Sequence, residues 1–365
     1  MARLGDYVRI RTGKLDANAS SETGEYPFFT CAVEPLRIDT YSYDCECVLV
    51  AGNGDLNVKY YEGKFDAYQR TYIIESIDKA ILSVPYLFLF LDKYVETLRE
   101  QSIGGVIKYI KLGMLTEAQI PLCSLEEQRE AVALLHRVDE LISLRTKQLQ
   151  KLDDLVKSRF VEMFGDPKIN PNNYDIKNIS ELFDVGSSKR VFESEWRNSG
   201  VPFYRAREIV KLSKDGFVDN ELFIDESMYM EYKKKYGVPK ENDMMVTGVG
   251  TLGICYVVKK TDKFYFKDGN ILWFRNKGLC DVRFIKDQFE TDFVKDQIVA
   301  NANISTVGTY TITNANNTLV LVPPIEEQYE YVTYCNYIDK QKAMIQQGLA
   351  KLEQMKQALM QKYFG

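Results

Sequence analysis

Three stretches of the chain spell the letters of known chemistry. Gly248-Val-Gly250-Thr-Leu-Gly253 fits the G-x-G-x-x-G pattern, which cradles a dinucleotide phosphate only where a strand feeds the glycines into a helix. Here strand-like Ile254-Cys-Tyr-Val-Val258 follows, so the spacing predicts a tight β-turn and no nucleotide site. Glu231-Tyr-Lys233 carries the E-x-K letters of a nuclease, but no Pro-Asp pair stands upstream. His136 is the only histidine, so any Ser-His-Asp or Cys-His device must depend on it. It falls inside a long helical pattern, where a solvated or seam-edge residue is expected. The seven cysteines (31, 45, 47, 123, 255, 280 and 335) contain no C-x-x-C pair, which argues against zinc and for a reduced chain. There is no G-x-x-x-x-G-K-[ST] loop. Nor is there a Pro-Pro-[Tyr/Phe] preceded by Asn or Asp, the tetrapeptide of adenine methyltransferases; Pro323-Pro324-Ile325 follows Val322. No catalytic residue and no metal ligand is therefore expected, and the chain reads as a binder.

Composition bounds what such a binder can be. At 365 residues and 45% hydrophobic content, the chain can hold two domains with real cores. Its net charge of −5 is spread without any basic block, so bulk charge alone does not point to nucleic acid. The most apolar run, AILSVPYLFLFL at 80–91, is too short to span a bilayer and is interrupted by Pro85; it reads as core. The N-terminal MARLGDYVRIRTGK lacks the apolar stretch of a signal peptide, and a cytoplasmic location is expected.

The elements that must position any binding residues come from a repeat. Sliding the chain against itself by 200 positions aligns 126–165 with 326–365 and gives eleven identities in forty pairs. They include Glu126-Glu127-Gln128 with Glu326-Glu327-Gln328, Asp139 with Asp339, Lys151-Leu152 with Lys351-Leu352, and a closing Phe-Gly. Both segments predict helices. Ser124 and Glu127 form a capping box, and Pro323-Pro324 suits a helix entrance. Apolar residues recur every three and four positions: Ala131, Leu135, Val138, Ile142, Leu149, Leu152, Val156 and Met163, then Tyr331, Cys335, Ile338, Ile345, Leu349, Leu352, Leu359 and Tyr363. That is a coiled-coil seam, interrupted by Arg145, Arg159, Lys342 and Lys356. Each helix would run roughly 60 Å, too long for the core of one small domain, and the two are expected to pair antiparallel.

The intervening segments look like two versions of one domain. Leu4–Lys14 matches Ile179–Lys189, Tyr26-Pro-Phe-Phe-Thr30 matches Val201-Pro-Phe-Tyr-Arg205, and Val48–Asp55 matches Met244–Gly253 in strand-into-glycine-turn character. A Gly-containing loop precedes each long helix, at Gln101–Lys108 and Asn301–Thr309. The second version is longer before Met244 and includes a Lys-rich helical stretch, Met228 to Tyr236. The reading is an α+β chain: a mostly β head at 1–119, a helix at 120–165, a second head at 166–322 and a second helix at 323–365.

From Leu152-Asp-Asp-Leu-Val-Lys-Ser-Arg-Phe-Val-Glu-Met-Phe-Gly-Asp-Pro167, and from the order head, Leu-Glu-Glu-Gln helix, head, Ile-Glu-Glu-Gln helix, the chain resembles the specificity subunits of type I restriction-modification systems. The resemblance covers essentially the whole chain. It implies a non-catalytic subunit whose two target recognition domains each contact one half of a split double-stranded DNA site, with the paired helices as spacer. Two unlike heads imply an asymmetric bipartite site, its halves about one turn apart, roughly 34–36 Å. It further implies two partner methyltransferase subunits docked on the helices, which carry S-adenosylmethionine, and a restriction subunit that uses ATP and Mg. No cofactor belongs to this chain and no membrane is involved. Phosphate contacts would then come largely from the partners, which fits the weak basicity.

Polar and cationic residues on the predicted loops are the candidate DNA readers, because Arg, Lys, Asn and Gln can pair with purine edges. In the first head these are Lys14, Asn53, Asp55, Gln69, Arg70 and Lys108; in the second, Ser188, Lys189, Arg190, Arg205, Arg207, Thr251, Lys267, Asn270 and Asn301. The rival reading is a coiled-coil adaptor that grips proteins through two globular heads, which the acidic balance favours.

Overall fold

The computed structural model describes residues 1–301 and 308–365, with the side chain of Asn301 outside the described set. It divides into two units, Met1–Leu149 with Met344–Gly365, and Gln150–Ala343.

The first unit is built on a six-stranded sheet in the order Val8–Thr12, Thr71–Ser76, Tyr43–Ala51, Val58–Ala67, Tyr26–Phe29, Leu36–Ile38. All neighbours are antiparallel except Tyr26–Phe29, which runs parallel to Val58–Ala67. Period-two alternation sorts the central strand. Val48 and Val50 face a helix, Val84–Gln101, while Cys47 and Leu49 face Phe29, Phe65 and Ile73. That helix takes in residues 84–91 of the apolar 80–91 run. Ser83 is its N-cap, and Pro85 sits in the first turn, where no N–H is needed.

The second unit repeats this topology in a looser form. Phe183–Gly186, Ile271–Asn276, Met244–Thr247 and Cys255–Val257 form an antiparallel sheet in that order. Val201–Tyr204 again pairs antiparallel on one side, with Phe223–Ile224, and parallel on the other, with Tyr265–Phe266. The long fourth strand of the first sheet is here two short strands, Cys255–Val257 and Tyr265–Phe266, so one sheet becomes two. The extra length before Met244 forms two helices, Ala206–Asp215 and Glu226–Lys235.

The offset of 200 reaches further than the sequence identities. Short helices stand at Leu112–Thr116 and Ile312–Asn316, strands at Gln119–Ile120 and Leu319–Val322, and long helices at Leu125–Phe164 and Ile325–Phe364. Each long helix begins in one unit and ends in the other. Within each unit the two helices lie antiparallel, forming the expected coiled coil: Lys356 Nζ meets Asp139 Oδ1 at 2.7 Å in the first, and Lys342 Nζ meets Asp153 Oδ1 at 2.5 Å in the second. The lysines that break the apolar stripe are therefore satisfied across the seam. Arg159 likewise pairs with Glu330 at 2.8 Å. The stripe itself is buried at Ala131, Leu135 and Val138 and at Tyr331, Cys335 and Ile338.

The duplicated Glu-Glu-Gln has a structural reason. Ser124 and Glu127 form the capping box, with Ser124 N–H and Oγ–H donating to Glu127 Oε2 at 2.9 and 2.7 Å. The glutamine turns inward. Gln128 accepts from Ser83 N–H at 2.9 Å and donates to the carbonyls of Ile81 and Cys123 at 2.7 and 3.0 Å. Gln328 accepts from Asp281 N–H at 2.9 Å and donates to Pro323 O at 2.8 Å. Ser83 and Asp281 are N-caps of equivalent helices, so each buried glutamine clips a long helix to its head. The closing Phe-Gly works the same way: Phe364 packs on Tyr86 and Phe90, and Phe164 on Phe284 and Tyr331.

Candidate functional site

Four loops of the first head, distant in sequence, are laced together by backbone hydrogen bonds. Gly13 N–H donates to Thr71 O at 3.0 Å, Gln69 N–H to Leu15 O at 2.9 Å, Gly52 N–H to Arg70 O at 2.8 Å, and Gly54 N–H to Lys108 O at 2.9 Å. Ile110 N–H returns to Gly52 O at 2.9 Å. Glycine is required where these loops touch, since a Cβ on Gly52 would lie 2.3 Å from Arg70 O and one on Gly13 only 2.1 Å from Ala67 O. All six residues predicted in the first head fall on this cluster. Lys14, Asp55, Gln69, Arg70 and Lys108 are exposed and Asn53 is half-buried. Gln69 and Arg70 line a cleft of about 280 Å³ with Thr12, Gly52, Tyr72 and Ile110. Among the described residues, Lys14, Arg70 and Lys108 form no salt bridge, so three positive charges are available to a ligand.

Sequence reasoning took only Lys108 from the 101–108 loop. The structure makes this a hairpin, with Ile103 and Tyr109 exchanging hydrogen bonds at 3.0 and 2.9 Å and Gly104 at φ +123°. Its tip carries exposed Val106 and Ile107. The Gly-Gly inside an apolar run was the available signal.

The second head carries the same frame with other side chains. Gly248 N–H donates to Asn270 O at 2.9 Å and its carbonyl accepts from Tyr310 N–H at 2.9 Å. Asn270 and Tyr310 thus stand where Arg70 and Ile110 stand, again at an offset of 200. The G-x-G-x-x-G letters form the predicted tight turn, with Gly250 and Gly253 at φ +72° and +76° and the strand Cys255–Val257 after them. Ser188 Oγ–H donates to Phe266 O at 2.7 Å, and Lys189 N–H to the Tyr265 hydroxyl at 2.9 Å. Arg190, Lys267 and Asn270 line a cleft of about 390 Å³ with Phe192, Trp196 and Asp268. The sequence reading misses Phe192, Trp196 and Asp268: polar and cationic loop residues are its candidates, which leaves the aromatics out, and nothing local marks Asp268 apart from other acids. Thr251 is exposed on the glycine turn, where its carbonyl accepts from the Thr247 hydroxyl at 2.5 Å. The side chain of Asn301 and residues 302–307, which hold most of the remaining predicted loop, lie outside the described residues.

The second head's arginines are already engaged. Arg190 Nε donates to Asp268 Oδ2 at 2.9 Å. Arg205 and Arg207 both grip the buried Glu208, at 3.0 and 2.5 Å, and both reach Glu221. Burial pushes the Glu208 carboxyl up, but the hydrogen bonds from Arg205 and Arg207 outweigh it and hold the group below the usual carboxylate range. Arg205 and Arg207 are thus gathered into an ion cluster, not displayed as free charges.

Other chemistry-bearing groups are apart. His136 is exposed on the first long helix, 3.7 Å from Glu140. Burial pushes the Cys335 thiol up to about 11 and Cys280 up to about 12, leaving them inert. Among the described residues no three His, Cys, Asp or Glu side chains cluster as metal ligands, and no helix is long and apolar enough to cross a membrane.

Comparison with known proteins finds likenesses among proteins of type I restriction-modification systems. The family model for the type I restriction modification DNA specificity domain matches residues 1–154. The type I restriction enzyme EcoDI specificity subunit of Escherichia coli is 36% identical over 154 residues, which cover 42% of this chain and 34% of that protein. This match therefore spans about a third of that relative's length. A putative type I restriction enzyme specificity subunit of Haemophilus influenzae is 24% identical over 339 residues, covering 90% of this chain and 83% of the relative. Among solved structures, the S subunit of the type I restriction-modification system from M. genitalium has a TM-score of 0.63 at 15% identity, covering 100% of this chain and 95% of that one. A chain from a study of complex assembly and conformational transition in the type I system has a TM-score of 0.59 at 16% identity, covering 100% and 96%. At these identities the structural likeness is one of fold.

Proposed function

We propose, for a chain that belongs to the specificity subunits of type I restriction-modification systems, that each head reads one half of an asymmetric, bipartite site in double-stranded DNA, and that the chain itself is non-catalytic. One observation carries this reading: the same hydrogen-bonded loop frame recurs in both heads, around Gly52 and Gly248, with different side chains mounted on it. A repeated scaffold with variable polar ends is what two related readers of unlike sequences require. In the first head Lys14, Arg70 and Lys108 supply the cations and Asn53 and Gln69 the amides; in the second, Lys189, Arg190, Lys267 and Asn270 do so. The acidic balance then reflects phosphate contacts made largely by partner subunits.

Methyltransferase docking falls to the long helices. Outside the buried seam, Leu134, Leu141 and Leu155 recur at heptad spacing and stay exposed, as do Tyr337 and Met344. Two methyltransferase subunits holding S-adenosylmethionine would cover these stripes, and a restriction subunit using ATP and Mg would join them, in the cytoplasm. Mapping adenine methylation across a host genome with and without this chain tests the whole reading. A single split motif that appears only with the chain is the expected result; unchanged methylation would refute it.

A further inference from the structure

We infer that the helix Glu226–Lys235 is a grip on the DNA backbone that only the second head possesses, with Lys233, Lys234 and the neighbouring Lys189 binding duplex phosphates beside the half-site this head reads. The inference rests on the DNA-reading function proposed above and says which surface of this chain meets phosphate.

Position is the first argument. The C-terminal end of the helix lies against the loop that carries Ser188, Lys189 and Arg190. Tyr232 OH donates to Arg190 O at 3.4 Å, and its ring packs 5.3 Å from that of Tyr265, whose hydroxyl accepts from Lys189 N–H. Tyr236 receives the Lys189 ammonium at 6.0 Å and the Lys235 ammonium at 5.9 Å. Lysines from two separate segments therefore converge on one exposed tyrosine, next to the cleft lined by Arg190 and Lys267.

Charge is the second. Lys233, Lys234 and Lys235 are exposed, and among the described residues only Lys235 has a carboxylate partner, Glu231 at 3.7 Å. Of the other acids nearby, Asp268 is held by Arg190, Glu226 by Lys263, and Glu195 accepts from Phe192 N–H. Lysines in the last turn do complement a helix C-terminus. That accounts for charge on this helix but not for Lys189, which approaches the same ring from another loop. Lysine also suits phosphate, as a compact charge on a long stem without the fork that reads a base edge.

The third argument is the contrast with the first head. There the strands Tyr26–Phe29 and Tyr43–Ala51 are joined by residues 30–42; the equivalent strands Val201–Tyr204 and Met244–Thr247 are joined by 205–243. The helix lies wholly within that added length, so a chain of net charge −5 keeps this basic surface in one head.

The test is the salt dependence of binding by the full chain assembled with its methyltransferase subunits, for Lys233→Ala/Lys234→Ala and Lys233→Arg/Lys234→Arg. The probes are a fluorescent random-sequence duplex and a duplex carrying the motif found by methylation mapping. The alanine pair should weaken both duplexes alike, roughly tenfold or more at low salt, and make the log–log salt slope shallower by about two, since each phosphate contact contributes about 0.9. The arginine pair should keep the parental slope. An unchanged slope in the alanine pair, a loss confined to the motif duplex, or loss of a methyltransferase subunit from the complex would each overturn the grip. If instead the parental complex does not prefer the motif duplex, the reading function itself fails.

Discussion

Lay the first head's loops over the second's and the backbone agrees while the electrostatics do not. Gly52 and Gly248 make the same two hydrogen bonds, to Arg70 O and from Ile110 N–H in one head, to Asn270 O and from Tyr310 N–H in the other. On this shared frame the first head shows Lys14, Arg70 and Lys108 without salt bridges among the described residues, whereas the second pairs Arg190 with Asp268 and ties Arg205 and Arg207 to Glu208 and Glu221. The frame is a packing solution and tolerates no side chain where loops meet. The charges on it are free to vary, and pairing decides how many of them a ligand can use. A paired arginine must give up its carboxylate before it binds a base, or else be held by that carboxylate in one fixed orientation.

The frame can be broken directly. A Cβ at Gly52 would meet Arg70 O at 2.3 Å, backbone that cannot swing aside, whereas at Gly248 the nearest atom is Tyr310 O at 3.0 Å. Gly52→Ala should therefore destabilise the protein by about 3 kcal/mol and Gly248→Ala by about 1 kcal/mol. Denaturant unfolding of both variants checks the order; equal losses would mean that the closer approach at Gly52 is relieved by its surroundings and that the two frames tolerate a Cβ equally.

The joint between head and helix gives a second, smaller contrast. Gln128→Ala leaves Ser83 N–H, Ile81 O and Cys123 O without their partner, while Gln328→Ala leaves Asp281 N–H and Pro323 O. Removing the buried amide should cost about 2 kcal/mol in the first head and about 1 kcal/mol in the second, read by thermal melting. A larger loss in the second would show that the clip there carries load from elsewhere, for instance from Arg283, which bridges Asp287 and Asp339.

These contrasts mark what could be seen beforehand. The long helices were legible because an apolar stripe at three-and-four spacing is local and was written twice; Glu127 and Gln128 matched Glu327 and Gln328 letter for letter. That the glutamine is a buried clip was not legible, since its partners Ser83 and Asp281 lie tens of residues away. The first head's loop residues stand out only singly, by polarity, and nothing in the local sequence says that Lys14, Asn53, Arg70 and Lys108 meet. The match of Arg70 with Asn270 and of Ile110 with Tyr310 was hidden because hydrogen bonds between backbones leave no trace in residue type. Pairing was hidden for another reason: the sequence shows which side chains carry charge but not which of them the fold brings together. Arg205 and Arg207 looked like free cations because Glu221, a loop away, gives no sequence sign that it folds back on them.

For binding, the free cation should matter more than the paired one. Arg70→Ala should weaken the parental complex for its motif by about tenfold, or about 1.4 kcal/mol, and Arg207→Ala by less, with methylation of the motif as a second readout. If Arg207→Ala abolishes methylation while the complex still assembles, the ion cluster is part of the reading surface. Unchanged methylation removes Arg207 from it. Acid separates the structural share. Because the folded Glu208 carboxyl lies below its ordinary range, the stability it contributes is fully present above the unfolded value, about 4.3, and is lost as pH falls through the lowered folded one. Glu208→Gln should remove that acid-limb dependence and leave the neutral-pH binding ratio of the two arginine variants in the same order.

The smallest effect is also the most direct test of pairing. Asp268→Asn keeps the shape of the cleft but removes the negative charge beside Arg190, whose side chain is two-thirds exposed and whose Nε lies 2.9 Å from Asp268 Oδ2. An exposed pair of this kind holds its arginine by only about 0.5 kcal/mol, so folding stability should barely move. On the proposed DNA-reading function, binding responds with the opposite sign, because the variant both frees Arg190 and removes a negative charge from the surface proposed to meet DNA. Affinity for a random-sequence duplex should rise roughly two- to threefold at low salt and return to the parental value at high salt, where exposed charges are screened. Affinity for the motif duplex decides what the pair is for. A parallel rise means Asp268 merely restrains a positive charge. A fall there, against the rise on random DNA, means the carboxylate aims Arg190 at a base, and the second head then trades available charge for orientation where the first head does not.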